Sequence, residues 1–187
     1  MAFPKLEDEQ VEWFIQQVAA HIGGQRETYR GKAVALSQNQ RATMHLFFPA
    51  STLESARVVV RAAERVSNPY FYGELLKMGF EVGSLPNFAD MAAITYLDTV
   101  VFNEPFTYRV LFHELVHVVQ YEKLGLPKFA AKYVKGFLSG GSYDANPLEM
   151  NAYELEERFA TEQTKAFSVA AEVQTWIDRG VSRLWET

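Results

Sequence analysis

The chain has 187 residues and a formal net charge of −5, which allows one domain, 1–187, with a buried core and no disulfide staples. Hydrophobic residues at 48% and aromatics at 14% exclude a disordered chain, and the mild, dispersed charge without a basic stripe argues against nucleic acid as a partner. Cysteine is absent, which excludes thiolate ligands and a cysteine nucleophile and leaves histidine and carboxylate as the good zinc ligands.

The start, Met1-Ala2-Phe3-Pro4-Lys5-Leu6-Glu7-Asp8-Glu9, has neither the basic n-region nor the apolar h-region of a signal peptide, and no apolar run approaches a membrane span. The expectation is a soluble, cytoplasmic protein with no membrane partner, although signal-independent secretion leaves the same trace. A first amphipathic helix is expected from Glu7 to Ile22, with Val11, Phe14, Ile15 and Val18 on one stripe and Gly23-Gly24 ending it. His21, near that end, reads as a partner of the helix dipole and not as a metal ligand.

Between Gln25 and Ala50 the pattern is weak. Ala33-Val34-Ala35-Leu36 and Met44-His45-Leu46-Phe47-Phe48 read as short strands around a polar turn at Ser37-Gln38-Asn39-Gln40. Ser51-Thr52-Leu53-Glu54 has capping-box spacing and predicts a helix continuing from Ala56 to Glu64. Asn68-Pro69 offers another helix start, closed near Gly79.

Ala92-Ala93-Ile94-Thr95-Tyr96 and Thr99-Val100-Val101-Phe102 are β-prone runs separated by Leu97-Asp98, as in a hairpin or bent strand. A helix follows the Asn103-Glu104-Pro105 junction, beginning near Pro105 or Phe106 and ending at Gly125, with Pro127 beyond. Another spans Pro127 to Leu138. Ser139-Gly140-Gly141-Ser142 is the clearest loop, Asn146 and Pro147 announce a helix reaching Ala160, and a final helix covers Phe167 to Ile177.

The helix after the hairpin contains His113-Glu114-Leu115-Val116-His117, an H-E-x-x-H pattern. At roughly 100° per residue, residues four apart project within about 40° of each other, so both imidazoles can reach one ion with Glu114 on the flank. Leu111, Phe112, Leu115, Val116, Val118 and Val119 cover one arc of this helix. Arg109, His113, Glu114, His117, Gln120 and Tyr121 occupy the other.

A catalytic zinc site takes a third protein ligand and leaves a position for water. His21 and His45 lie in segments that the pattern does not connect to the motif, so a carboxylate is the better candidate. Glu149, at the start of a later helix, can return to the metal, but as the residue three after Asn146 it can equally reach back to the Asn146 amide as a capping-box glutamate. Glu156, two turns on at a similar helical phase, and Glu154 are weaker candidates. Glu154 and Glu157 read as a solvated charged surface.

His113 to His117 followed by Glu149-Met150-Asn151-Ala152 resembles the gluzincin pattern of thermolysin-like peptidases, H-E-x-x-H with a later E-x-x-A/S-D on a second helix. The run His113 to Gln120 also resembles small, largely uncharacterised bacterial proteins with H-E-L-x-H-V-x-Q. The resemblance covers Thr99 to Phe159. It implies a zincin-like α+β fold, mostly helical, with a small sheet whose edge strand, Thr99 to Phe102, precedes the motif helix and adds an extended peptide by β-augmentation. It further implies that His113, His117 and Glu149 ligate Zn²⁺, that Glu114 is the general base, and that a peptide or protein is the substrate of a zinc metallopeptidase.

The chain departs from the pattern at Tyr153, where the family often has an aspartate orienting a ligand histidine; a phenol can hydrogen-bond but holds no fixed charge. No counterpart of the larger members' substrate-polarising histidine or tyrosine is matched, although Tyr143 and Tyr153 are available. Two rivals remain: a metal-binding or regulatory domain without turnover, and an interaction module with no metal. Retention of Glu114 favours the enzyme.

Overall fold

Four short β-branched runs make one sheet, and the helices cover it. The computed structural model describes residues 3–61, 64–161 and 165–182. Met1 and Ala2, where the segment read for targeting begins, and positions 62–63, within a predicted helix, lie outside them. In chain order come α1 (Asp8–Arg30), β1 (Val34–Ala35), α2 (Gln38–Met44), α3 (Ala50–Ser55), β2 (Arg57–Val60), α4 (Tyr72–Lys77), a 3₁₀ turn (Val82–Ser84), β3 (Ala93–Tyr96), β4 (Thr99–Phe102), α5 (Tyr108–Gly140), α6 (Pro147–Thr161) and α7 (Val169–Ser182). The class is α+β, mostly helical with a small sheet, as expected. Among the described residues no helix is long and apolar enough to cross a membrane.

The sheet order is β1-β2-β4-β3. β3 and β4 form the expected antiparallel hairpin, pairing Tyr96 with Thr99 across Leu97-Asp98, and Leu97 takes φ 59° to close this two-residue turn. Arg26 and Arg30 of α1 bind the Asp98 carboxylate and tie the turn down. β4 is therefore an inner strand, parallel to β2 on its other side, and the expectation that Thr99 to Phe102 forms the sheet edge is corrected. The edge beside the motif helix is β3. The sequence of β4 accounts for its position: all four residues are buried, Val100 and Phe102 in one apolar cluster and Val101 in the other, as for a strand covered on both faces.

Three further expectations fail for local reasons. Ser37-Gln38-Asn39-Gln40 is not a turn between strands, because Ser37 Oγ accepts from the Gln40 amide and the Gln40 side chain from the Ser37 amide, a capping box that starts α2. Met44 to Phe48 is accordingly no strand. The helix predicted from Ser51 onward stops at Ser55, since Arg57-Val58-Val59-Val60 pairs with β4 and β-branched residues gain more in a sheet. α1 runs through Gly23-Gly24 to Arg30, which puts His21 inside the helix and not at its C-terminal dipole.

α5 passes along the sheet, with α1 and α6 against it. Its two predicted halves meet at Gly125, whose φ of 71° and ψ of 159° interrupt the helical geometry; only glycine takes that backbone without strain. Pro127 follows at the first turn of the second arm, where its missing N–H costs nothing.

Candidate metal centre

Thr107 starts α5 by accepting from the Val110 amide. From Leu111 to Tyr121 every residue of the helix is buried, so, Arg109 apart, the arc read as polar does not face solvent. It faces β3, α6 and a cavity, which is where the histidines point their chemistry.

The packing of α6 on the second arm of α5 delivers Glu149. Asn146 is fully buried between them, its Oδ1 accepting from the Leu148 amide and its Nδ2 donating to the Tyr133 carbonyl. The close approach needs Gly136, where a Cβ would lie 2.6 Å from Pro147 Cδ. The Asn146 amide bonds to the Tyr143 carbonyl, leaving it no need of a carboxylate from within α6. Glu149, 4% exposed, turns towards the histidines, and the capping alternative is overturned.

His113 Nε2 and His117 Nε2 are 3.1 Å apart, and Glu149 Oε2 lies 3.4 Å from the first and 3.3 Å from the second. Glu149 Oε2 is buried with no hydrogen-bond partner among the described residues. The outer nitrogens explain why this triangle suits a cation. His113 Nδ1 is 2.8 Å from Glu156 Oε2 and His117 Nδ1 2.8 Å from Gln120 Oε1; both oxygens only accept, so each Nδ1 carries its proton and each Nε2 of a neutral ring presents a lone pair. Two lone pairs and a carboxylate oxygen then converge in a buried space. Ligands about 2.0–2.1 Å from a tetrahedral ion sit about 3.3–3.4 Å from one another, so the spacing fits a small metal ion. The group His113, His117 and Glu149 could hold one.

The electrostatics agree. Burial alone would lower His113, but the carboxylates of Glu149 and Glu156 push it up to about 10. His117 is raised against burial chiefly by Glu149. Burial would raise Glu149, and the two imidazoles instead hold it well below the usual carboxylate range. The metal-free triangle binds a proton where the ion would sit.

Glu114 stands beside the triangle, 6% exposed, its Oε2 accepting from the Thr95 hydroxyl at 2.6 Å. Glu114, His117 and Glu149 line one cavity of about 80 Å³ together with Thr95, Tyr143 and many aromatic side chains. Tyr153 is 44% exposed and its ring lies 4.6 Å from that of His113, a cover over the site with no charge to offer. Glu156 replaces it electrostatically: it receives the His113 Nδ1–H and is braced by Arg109 Nε. Glu154 is exposed, as expected, and Glu157 pairs with Arg109 at the surface.

Gln120 and Thr95 are the functional neighbours that sequence reasoning left without a role. Gln120 is fully buried and its amide is fixed by Nε2 donating to the Leu148 carbonyl and to Asn151 Oδ1. Its position one turn after His117 is a signal that could have found it. Thr95 comes from a different element and carries no such signal. Compared with family models, with curated proteins and with solved structures, the chain matches none.

Proposed function

We propose that the protein is a zinc-dependent metallopeptidase of gluzincin type on a zincin-like fold, hydrolysing bonds of a peptide or protein substrate. The observation that carries the reading is the convergence of His113 Nε2, His117 Nε2 and Glu149 Oε2 within 3.1–3.4 Å of one another, with the Glu114 carboxylate buried at their side. Histidine and carboxylate donors in a tetrahedral spacing favour zinc over the harder ions that take more oxygen ligands.

A zinc ion held by His113, His117 and Glu149 would supply Lewis-acid polarisation at the bond to be cut. Glu114 accepts the water's proton on its carboxylate and passes it to the leaving amine. The Thr95 hydroxyl, bonded to Glu114 Oε2 at 2.6 Å, holds that carboxylate in one rotamer. Glu156 and Gln120 fix both imidazoles with Nε2 turned towards Glu149. An extended substrate adds along β3 at Ala93: the Asn103 amide bonds to the Ala92 carbonyl, and the alternation of an antiparallel ladder then turns the backbone groups of Ala93 away from β4, whereas the Thr95 carbonyl is already taken by the Tyr121 hydroxyl.

A second reading, a metal-binding or regulatory domain without turnover, draws on the same Thr95 bond, which also suits a Glu114 that is merely buried and satisfied. Elemental analysis and a peptide library separate the readings. The parent is expected to carry about one zinc per chain, lost in His113→Ala, in His117→Ala and largely in Glu149→Gln. It is expected to cut library peptides when zinc-loaded, to stop when stripped by a chelator and to recover on zinc addition. Full zinc without any cleavage would support the second reading; metal content unchanged by the histidine substitutions would remove both.

A further inference from the structure

The cavity beside the triangle does not end at the motif helix. It continues between α1, α4 and β3, walled by rings such as Phe14, Phe71 and Phe88, to His21 and Tyr96. These two rings lie 6.0 Å apart, centroid to centroid. His21 Nε2 and Tyr96 Oη are buried, and neither has a hydrogen-bond partner among the described residues. An apolar tunnel would hold leucine or phenylalanine in these positions. Two polar atoms without protein partners in a wall of aromatic rings are costly unless something in the cavity pairs with them.

We infer that this cavity is a side-chain subsite that selects a short, neutral, amide-tipped residue, asparagine or glutamine, in the substrate. The inference rests on the hydrolase reading for its substrate class and on the cavity for its chemistry. Size decides first: about 80 Å³ is roughly half the ~150 Å³ that takes up a benzene ring, so an aromatic side chain is too large. Charge decides next. A carboxylate would meet Glu114 and Glu149, which line the same space, and an ammonium would lose its water among apolar rings. Leucine fits by volume but leaves His21 Nε2 and Tyr96 Oη unpaired. An amide has an apolar stem for the rings and offers a donor and an acceptor at its tip, one for each orphaned atom. Burial pushes His21 down to about 4, so the imidazole is neutral at pH 7 and can meet an uncharged group.

Binding tests this without turnover. The chain has only four histidines, so the imidazole signals of the ring-labelled, zinc-loaded protein are assignable by NMR, His21 by its loss in His21→Leu. Titration with the N-acetyl methylamides of glutamine, asparagine and leucine is expected to move the His21 signals, with an amide preferred over leucine by about tenfold, the worth of roughly one matched hydrogen bond. Tyr96→Phe, which keeps the ring and removes the hydroxyl, should cut that preference while leaving zinc content unchanged. Leucine binding as tightly as either amide, or no compound moving the His21 signals, overturns the subsite. In the peptide library, asparagine or glutamine should be enriched beside the cleaved bond. A protein that cuts no peptide yet prefers the amides loses the hydrolase reading and keeps the subsite; one that cuts beside leucine keeps the hydrolase and loses the subsite.

Discussion

His113 donates its Nδ1–H to Glu156 at 2.8 Å, two helical turns beyond Glu149 and so on the same face of α6. The aspartate that the gluzincin pattern has four residues after its ligand is tyrosine here, and the fixed negative charge enters one turn later instead. Arg109 and His113 hold Glu156 below the usual carboxylate range against the effect of burial. Glu156→Gln should therefore weaken zinc binding by about 10- to 100-fold, the usual cost of losing an outer partner of a ligand histidine. Tyr153→Phe should change it little. Competition against a chelator of known affinity measures both, and equal affinity of Glu156→Gln and parent would reduce Glu156 to a packing residue.

Zinc uptake should release protons. With its Nε2 facing His117 and Glu149, His113 is pushed up to about 10, so the metal-free site is protonated at pH 7 and the ion must displace that proton. Zinc affinity should accordingly rise with pH from about 6.5 towards 10. The metal-free protein should follow the opposite course. A raised histidine contributes stability that is complete below its unfolded value of 6.5 and lost as pH rises through about 10, whereas the lowered Glu149 contributes stability lost on acidification. Calorimetry of zinc binding in buffers of different ionisation heat counts the protons; none released at pH 7 would contradict the convergent arrangement.

The approach of α6 to α5 makes a prediction about two glycines. A methyl group at Gly136 would sit 2.6 Å from the Pro147 ring, whereas one at Gly24, inside α1, meets no other described residue within 4 Å. Gly136→Ala should lose about 1–3 kcal/mol through overpacking and weaken zinc binding as Glu149 is displaced. Gly24→Ala should gain about 0.5–1 kcal/mol from helix propensity alone. Chemical denaturation of both variants checks the pair, and equal stabilities would mean that α6 is not held as described.

How far the sequence was legible follows from where each signal resides. The hairpin at Leu97-Asp98 and the helix break at Gly125 are written in local turn chemistry and stand as read, and the motif helix is written in local periodicity, although it starts at Tyr108 behind the Thr107 cap and not at Pro105 or Phe106. The convergence of Glu149 was open until the fold showed Asn146 capped without it. β2 was hidden because Ala56 to Val60 favours helix by its capping signal and strand by its valines, and only pairing with β4 decides between them. The inner position of β4, Thr95 bonded to Glu114, and His21 meeting Tyr96 are contacts between distant segments, which single-chain periodicity does not encode.

The central claim is that Glu114 acts on water next to a metal held by other residues, and Glu114→Gln tests it most directly. Gln can still accept from the Thr95 hydroxyl, so the fold and the zinc stoichiometry should match the parent, but the amide cannot take up a proton. The rate of cleavage of the best library peptide, measured with both proteins zinc-loaded, should fall by a factor on the order of 10² to 10⁴. Cleavage at the parent rate in Glu114→Gln, with zinc content unchanged, would contradict the account.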